Sequence, residues 1–442
     1  MNENNKKMSR REFLKAITVS AASVAVLAAC APKAEPTATT APVEATTAPP
    51  TAEPVKITVW TWYSETDVEL TKACEAYTKE NPNITVENRT YGSAEYLQVL
   101  ETAIAGGTGP DILGPHVHAI EYGLAGQTLD LNSVLDATFL EKFFPSTRKQ
   151  FTEAGKQYAL GWMAQTFGFF YNPALFDQAG VKDIPVTWDD IIAVSDKFKT
   201  ANIIPWAFNN ADKWLGCDYY LPLITQATDD PDLVYKLDAH TEAGVTWDSQ
   251  PVVDSLGMFD KLVKAKVFQD GVNGTNWDQA LAMLYGGKAA MFFAGSWVPA
   301  GIVTDAPPEF ASTYKVFKTP AWAQGKRHWC GNQAGAALAI YAKGHVNESV
   351  NFINWLYEDK RYVDIMNNSF SMPSTSQAAA LITDPIMKEM TSWLPDGAPH
   401  ILFGKGSWDA ISNNVQSITG QTATPKEVAA QIEADVVAAR SK

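Results

Sequence analysis

Residues 161–190 read GWMAQTFGFFYNPALFDQAGVKDIPVTWDD. An uncharged aromatic run, Phe167–Tyr171, ends at Asn172-Pro173. Asn before Pro is a helix entry. The Asn side chain can accept from the first turn, and Pro at the first helical position lacks the N–H that would find no partner there. Gly180 suits the left-handed residue on which helices commonly stop. Thr187 and Asp190 frame a second entry, a capping box with Asp in place of Glu. The stretch predicts a buried strand, a short helix, a loop and a longer helix, which is a unit of an α/β fold.

The alternation continues on the N-terminal side. Residues 55–63, VKITVWTWY, alternate and are β-branched, as a strand should be. Leu70, Ala73 and Tyr77 then recur at helical spacing up to Pro82. Ile84–Thr90 predicts a second strand, and Tyr96, Leu97, Leu100, Ala103 and Ile104 a second helix. The glycine-rich turn at 106–113 leads into a third strand. It is not a phosphate loop, because it lacks Gly-Lys-Ser/Thr and does not open a helix. This β-α-β-α-β succession fits right-handed crossovers within an α/β lobe.

A chain of 442 residues exceeds one hydrophobic core, so two or more lobes are expected. The net charge of −14 argues against nucleic acid or an anionic membrane as partner of the folded part.

Ser9-Arg10-Arg11-Glu12-Phe13-Leu14-Lys15 resembles a twin-arginine export motif. The apolar run after it is too short to span a bilayer and ends Leu27-Ala28-Ala29-Cys30, which resembles a lipobox. Residues 1–30 are therefore expected to be a lipoprotein signal, with Cys30 carrying the lipid. More than one acyl chain gives stable anchoring. Residues 31–54 are nearly all Ala, Thr, Pro and Glu; they cannot bury enough apolar surface to fold and are read as a spacer. Cys74, Cys217 and Cys330 remain. Three cannot all pair, so no disulfide framework follows, and a Cys217–Cys330 bridge stays open.

Five segments carry a family resemblance. They are Gly168–Gly180 with Pro185–Asp190 ("G-F-F-Y-N-P-x-L-F-x-x-A-G … P-x-T-W-D-D"), the Pro110-Asp111-Ile112 turn, and Lys288 to Trp297 ("G-x-A-A-M … G-S-W"). The small apolar strand at 331–342 and Phe352-Ile353-Asn354-Trp355-Leu356 complete them. Together they resemble the extracellular solute-binding proteins of ABC importers, in particular the sugar-binding group related to maltose-binding protein. The likeness runs from about Lys56 to Val437. It implies a periplasmic-binding-protein-like fold of type II, with two α/β lobes and a ligand cleft between them. Lobe 1 would hold residues 55–165 and 330–372, and lobe 2 residues 166–329 and 373–442.

The resemblance also implies a function. The chain would be a monomeric, lipid-anchored, extracytoplasmic binding subunit that captures a carbohydrate by hinge closure and hands it to the membrane permease. No cofactor is implied. Position by position, the ligand contacts would be Trp62, Ser64 and Glu65 after the first strand, Glu95 on the second helix, and His116 and His118 after the Pro-Asp-Ile turn. Gln165, Asp212, Trp214, Trp297 and Trp408 complete the set. Gln165 stands where maltose-binding protein has an acidic ligand residue, which speaks against maltodextrin specificity. A polyamine or other cationic solute is the alternative binding reading, and a surface carbohydrate-active enzyme a further one. The sequence contains no Gly-x-Ser-x-Gly elbow and no His-Glu-x-x-His, and His116-x-His118 reads as cleft wall rather than metal site. A pair of carboxylates for glycoside cleavage is not recognisable from sequence. The expectation is a binding protein, not an enzyme.

Overall fold

A computed structural model describes residues 53–115, 118–230, 232–239, 245–328, 331, 333–396 and 406–441; at 93, 94, 214–217, 239, 333 and 396 only the backbone is described. The export signal, the spacer, Cys30, His116, Cys330 and the side chain of Cys217 lie outside the described residues.

The strands in chain order are β1 (Val55–Thr61), β2 (Ile84–Thr90), β3 (Ile112–Leu113), β4 (Thr152–Glu153), β5 (Lys156–Gln157), β6 (Leu160–Gln165), β7 (Phe167–Tyr171), β8 (Ile204–Trp206), β9 (Ala289–Gly295), β10 (Lys315–Lys318), β11 (Gln333–Ile340) and β12 (Met372–Pro373). They form a six-stranded sheet ordered β12-β6-β11-β3-β1-β2, a four-stranded sheet ordered β10-β7-β9-β8, and the small hairpin β4-β5. The order within each sheet is non-consecutive because helices cross over between parallel neighbours.

In the first sheet, Ile57 and Val59 of β1 are fully buried on one face. Trp60 leans against the cluster on the other face. Burial therefore alternates along β1, with Ile57, Val59 and Thr61 buried and Lys56, Thr58 and Trp60 less so. β1 stops at Thr61, two residues short of the predicted end. The chain turns there so that the Tyr63 hydroxyl can donate to Ala337 O (2.8 Å) and accept from Ala337 N (2.9 Å).

Asp111 of the Pro-Asp-Ile turn sits at the amino end of β3. Its carboxylate accepts from Thr58 N and His345 N, both at 2.8 Å, and lies 2.8 Å from His345 Nδ1. The turn thus ties β1 to the chain leaving β11.

The second sheet is built from the quoted stretch. Phe167, Phe169 and Phe170 are buried, each contributing roughly 1.5–3 kcal/mol. Phe169 stacks on Phe317 with ring centroids 4.9 Å apart. Asn172 caps the helix Pro173–Gln178, and Gly180 takes φ +67°. Thr187 and Asp190 close the predicted capping box on Trp188–Thr200. Thr424 and Glu427 do the same for Pro425–Arg440. That last helix, Gln250–Lys264 and Ser407–Thr419 contribute to one apolar cluster on this sheet. Helix Trp214–Gln226 joins them; its interior Pro222 is a residue that normally breaks a helical pattern, which hides it in the sequence. No described helix is long and apolar enough to cross a membrane.

Candidate ligand-binding site

Strand directions decide where a site forms. β1 and β3 are parallel, and β11 runs antiparallel to both β3 and β6. The carboxyl ends of β1, β3 and β6 therefore share one edge, with Thr61, Leu113 and Gln165 upon it. In the second sheet β8 runs parallel to β9, and β7 runs antiparallel to β9 and β10. The carboxyl ends of β8, β9 and β10 thus lie at the edge where β7 begins. Only Thr166 separates the end of β6 from the start of β7, so the two carboxyl edges adjoin. Open α/β sheets place their ligands outside these ends.

The junction is fixed by hydrogen bonds. Ser296 N donates to Thr166 O (2.9 Å), the Thr166 hydroxyl to Met390 O (3.2 Å), and the Thr319 hydroxyl to Phe167 O (3.1 Å).

On the first edge Trp62 is half-buried, with its ring 4.4 Å from that of Tyr63 and 5.0 Å from that of Tyr96. Tyr96 sits beneath as a strut. Its hydroxyl donates to Trp60 O (2.8 Å) or Gly114 O (2.9 Å) and accepts from Gly114 N (3.1 Å). Ser64 is exposed and Glu65 half-buried in the loop after β1. Burial raises the Glu65 carboxyl above the usual range, since a desolvated carboxylate is disfavoured. Glu95, in the helix Ser93–Ala105 that follows β2, is exposed. His118 opens the helix Ala119–Leu124 with Nδ1 2.6 Å from Glu121 Oε2. Gln165 ends β6 opposite Gln333.

On the second edge, Trp297 follows β9 after Ser296. Its indole meets Phe167 edge-on at 5.3 Å and lies 6.4 Å from the ring of Trp277. Asp212, in the loop after β8, accepts from Trp277 N at 2.7 Å. Asp212, Trp277 and Trp297 are thereby one group. Trp214 begins the helix after this loop, and its side chain lies outside the described residues. Trp408, near the start of Ser407–Thr419, is half-buried against the cluster of the second sheet. No strand of either edge leads to it, so strand topology does not bring it to the junction as it does the others.

Sequence reasoning missed Trp277 and Tyr96 as parts of this arrangement. Trp277 gave a signal, as the first residue of a helix whose Asn276–Gln279 capping box is present in the structure. Tyr96 was legible only as one apolar position of the second helix. Three surface hollows elsewhere contain none of the predicted residues: around Lys264 to Gly274, around Phe143 to Thr152, and around Val253 to Lys261. Among the described residues no three His, Cys, Asp or Glu gather as metal ligands.

Known proteins agree with this architecture. The sequence model of the bacterial extracellular solute-binding proteins matches residues 63–361. A putative binding protein of Brucella abortus (strain 2308) is 25% identical over 377 residues, covering 82% of this chain and 88% of that protein. The multiple sugar-binding protein of Streptococcus mutans is 24% identical over 310 residues, covering 66% and 68%. Among solved structures, the GacH receptor of Streptomyces glaucescens, known unliganded and with acarbose, superposes with a TM-score of 0.74 at 18% identity, over 88% of this chain and 99% of that one. The fold is the two-lobe, type II arrangement of periplasmic binding proteins, and the chain belongs to the bacterial extracellular solute-binding protein family.

Proposed function

We propose that this chain is the lipid-anchored receptor of an ABC importer and that it binds a carbohydrate between the carboxyl edges of its two sheets. The observation that carries the reading is the pairing of aromatic faces with polar groups at adjoining edges. Trp62 follows β1 on one edge, where Gln165 ends β6, and Trp297 follows β9 on the other, where Asp212 accepts from Trp277 N. A sugar ring presents C–H faces that indoles cover and hydroxyls that amides and carboxylates satisfy. Each hydroxyl left unpaired on burial costs on the order of 1–3 kcal/mol, so the polar groups set discrimination. The sugar-binding relatives support the substrate class.

Lobe 1 is taken as 55–165 with 330–372, and lobe 2 as 166–329 with 373–442. A ligand that touches both lobes only in the closed form favours closure, and hinge closure is a standard switching transition. The permease then reads the closed shape, and no bond needs to be made or broken by this chain. Cys30 and the spacer would tether the receptor outside the membrane. A polyamine would draw on Glu65, Glu95 and Asp212. Asp212 is already engaged by Trp277 N and Glu95 is exposed, so the polyamine reading has less support.

A thermal-shift screen of the chain from residue 31 onward, against mono- and oligosaccharides and polyamines, tests the proposal. A sugar at a hundredfold its dissociation constant adds about 2.7 kcal/mol, or roughly 3 °C for a chain of this size. A shift with polyamines and none with any carbohydrate would overturn it. Release of reducing ends from an oligosaccharide would make the chain an enzyme.

A further inference from the structure

Gln165 and Trp297 flank the junction at Thr166, and each rests on a glycine. β11 is irregular where it faces β6: the register shifts between Ala334 and Ala336, where Gly335 is an extra, bulged residue, and shifts back between Ala336 and Ala337, where Trp162 of β6 is passed over. The two alanines show the effect. Ala334 faces the same cluster as Ala337 and Ala339, whereas Ala336 faces the opposite one with Leu338 and Ile340. Residues two apart on a regular strand would share a face; a bulge reverses that parity and re-aims what lies over it. A Cβ at Gly335 would fall 1.7 Å from Gln165 Cδ and 2.0 Å from Oε1. The Gln165 amide thus occupies the volume a side chain would take. On the other edge, a Cβ at Gly295 would fall 1.9 Å from the Trp297 ring, which folds back over the strand end. Neither glycine has a positive φ, so it is close approach and not backbone conformation that requires them.

We infer that Gly335 and Gly295 are positioning residues for the ligand site: they seat Gln165 and Trp297 at the floor of the junction, and the Gly335 bulge sets the direction of the Gln165 amide. The inference rests on the proposed role of these two side chains, and it adds two positions that contact no ligand. A methyl group at either one pushes its partner into the space a ligand would fill.

The test compares Gly335→Ala, Gln165→Ala and the double variant, with Gly295→Ala as the second-edge counterpart. Affinity is measured for the carbohydrate giving the largest melting shift with the unmodified chain. The side-chain amide resonance of Gln165 (assigned by its loss in Gln165→Ala) and the indole resonance of Trp297 (assigned by its loss in Trp297→Phe) are followed without ligand. Gly335→Ala is expected to displace the Gln165 resonance and to weaken binding about tenfold, equivalent to about 1.4 kcal/mol. The double variant should bind no worse than Gln165→Ala alone, with its melting temperature restored to that of Gln165→Ala. Gly295→Ala should displace the Trp297 resonance. Unmoved resonances, unchanged affinity in folded Gly335→Ala, or additive losses in the double variant would overturn the inference. If no carbohydrate binds the unmodified chain, the proposed function fails separately, and the ligand-free resonances still decide whether the glycines are seats.

Discussion

Asp111→Ala separates scaffold from cleft. The Asp111 side chain is nearly buried at the amino end of β3, where its two oxygens accept from Thr58 N and His345 N at 2.8 Å each. Truncation leaves two backbone N–H groups without an acceptor, at about 1–3 kcal/mol apiece. The sum is about 2–6 kcal/mol. The lower half applies, because the His345 side chain is 52% exposed and water can reach part of this edge. Asp111→Asn keeps one acceptor oxygen and the shape, and should lose about half as much. Urea unfolding followed by tryptophan fluorescence reads the loss. Because this is the edge opposite the carboxyl ends, carbohydrate affinity per folded molecule should match that of the unmodified chain. An unchanged unfolding midpoint would refute the reasoning, as would lost binding at full stability.

Trp297→Ala should weaken carbohydrate binding at least tenfold, since an aromatic contact is worth about 0.5–1.5 kcal/mol beyond the area it buries. Titration calorimetry checks this, and unchanged affinity contradicts it. Glu65→Gln should alter the pH dependence of stability. Burial raises the folded-state pKa of Glu65, so its ionisation opposes folding. Below the ordinary carboxylate range both forms are neutral and the two proteins should melt alike. As pH rises through that range, the variant should become the more stable, and a difference of opposite sign would contradict the burial argument. Lys149, in the helix Pro145–Lys149 packed on the first sheet, lies 2.8 Å from Asp232 and 5.0 Å from the ring of Tyr235, beside the cluster of the second sheet. Lys149→Ala should shift the opening equilibrium of the lobes by up to about fivefold, the range of exposed ion pairs. Spin-label distances across the lobes read it. The effect should vanish near 1 M salt, where screening reaches within about 3 Å, and an effect that survives would point to packing instead.

Local signals carried much of the fold. Asn172-Pro173 and Thr187 with Asp190 act within one helical turn, and both caps are observed as read. The glycine turn at 106–113 was legible as a strand entry, but its Asp111 acts on Thr58 and His345, 53 and 234 residues away. Such pairings leave no local periodicity. The same holds for Tyr63, which reads as one more strand aromatic yet fastens Ala337 across 274 residues. Gly335 in Gln-Ala-Gly-Ala-Ala looks like another small residue of an apolar strand; its role exists only because β6 lies alongside. Trp297 was recognisable from Gly-Ser-Trp, whereas its neighbour Trp277 was legible only as a helix start. Trp408 was named as a contact by the resemblance but has no strand end to place it. The resemblance extended to about Val437, while the family's sequence model stops at residue 361.

A crystal structure of the chain with the carbohydrate that stabilises it most tests the account directly. The sugar should lie between the carboxyl edges, its ring faces against Trp297 and Trp62 and a hydroxyl on Gln165. A sugar bound in another hollow, or touching only one of the two sheets' edges, would contradict it.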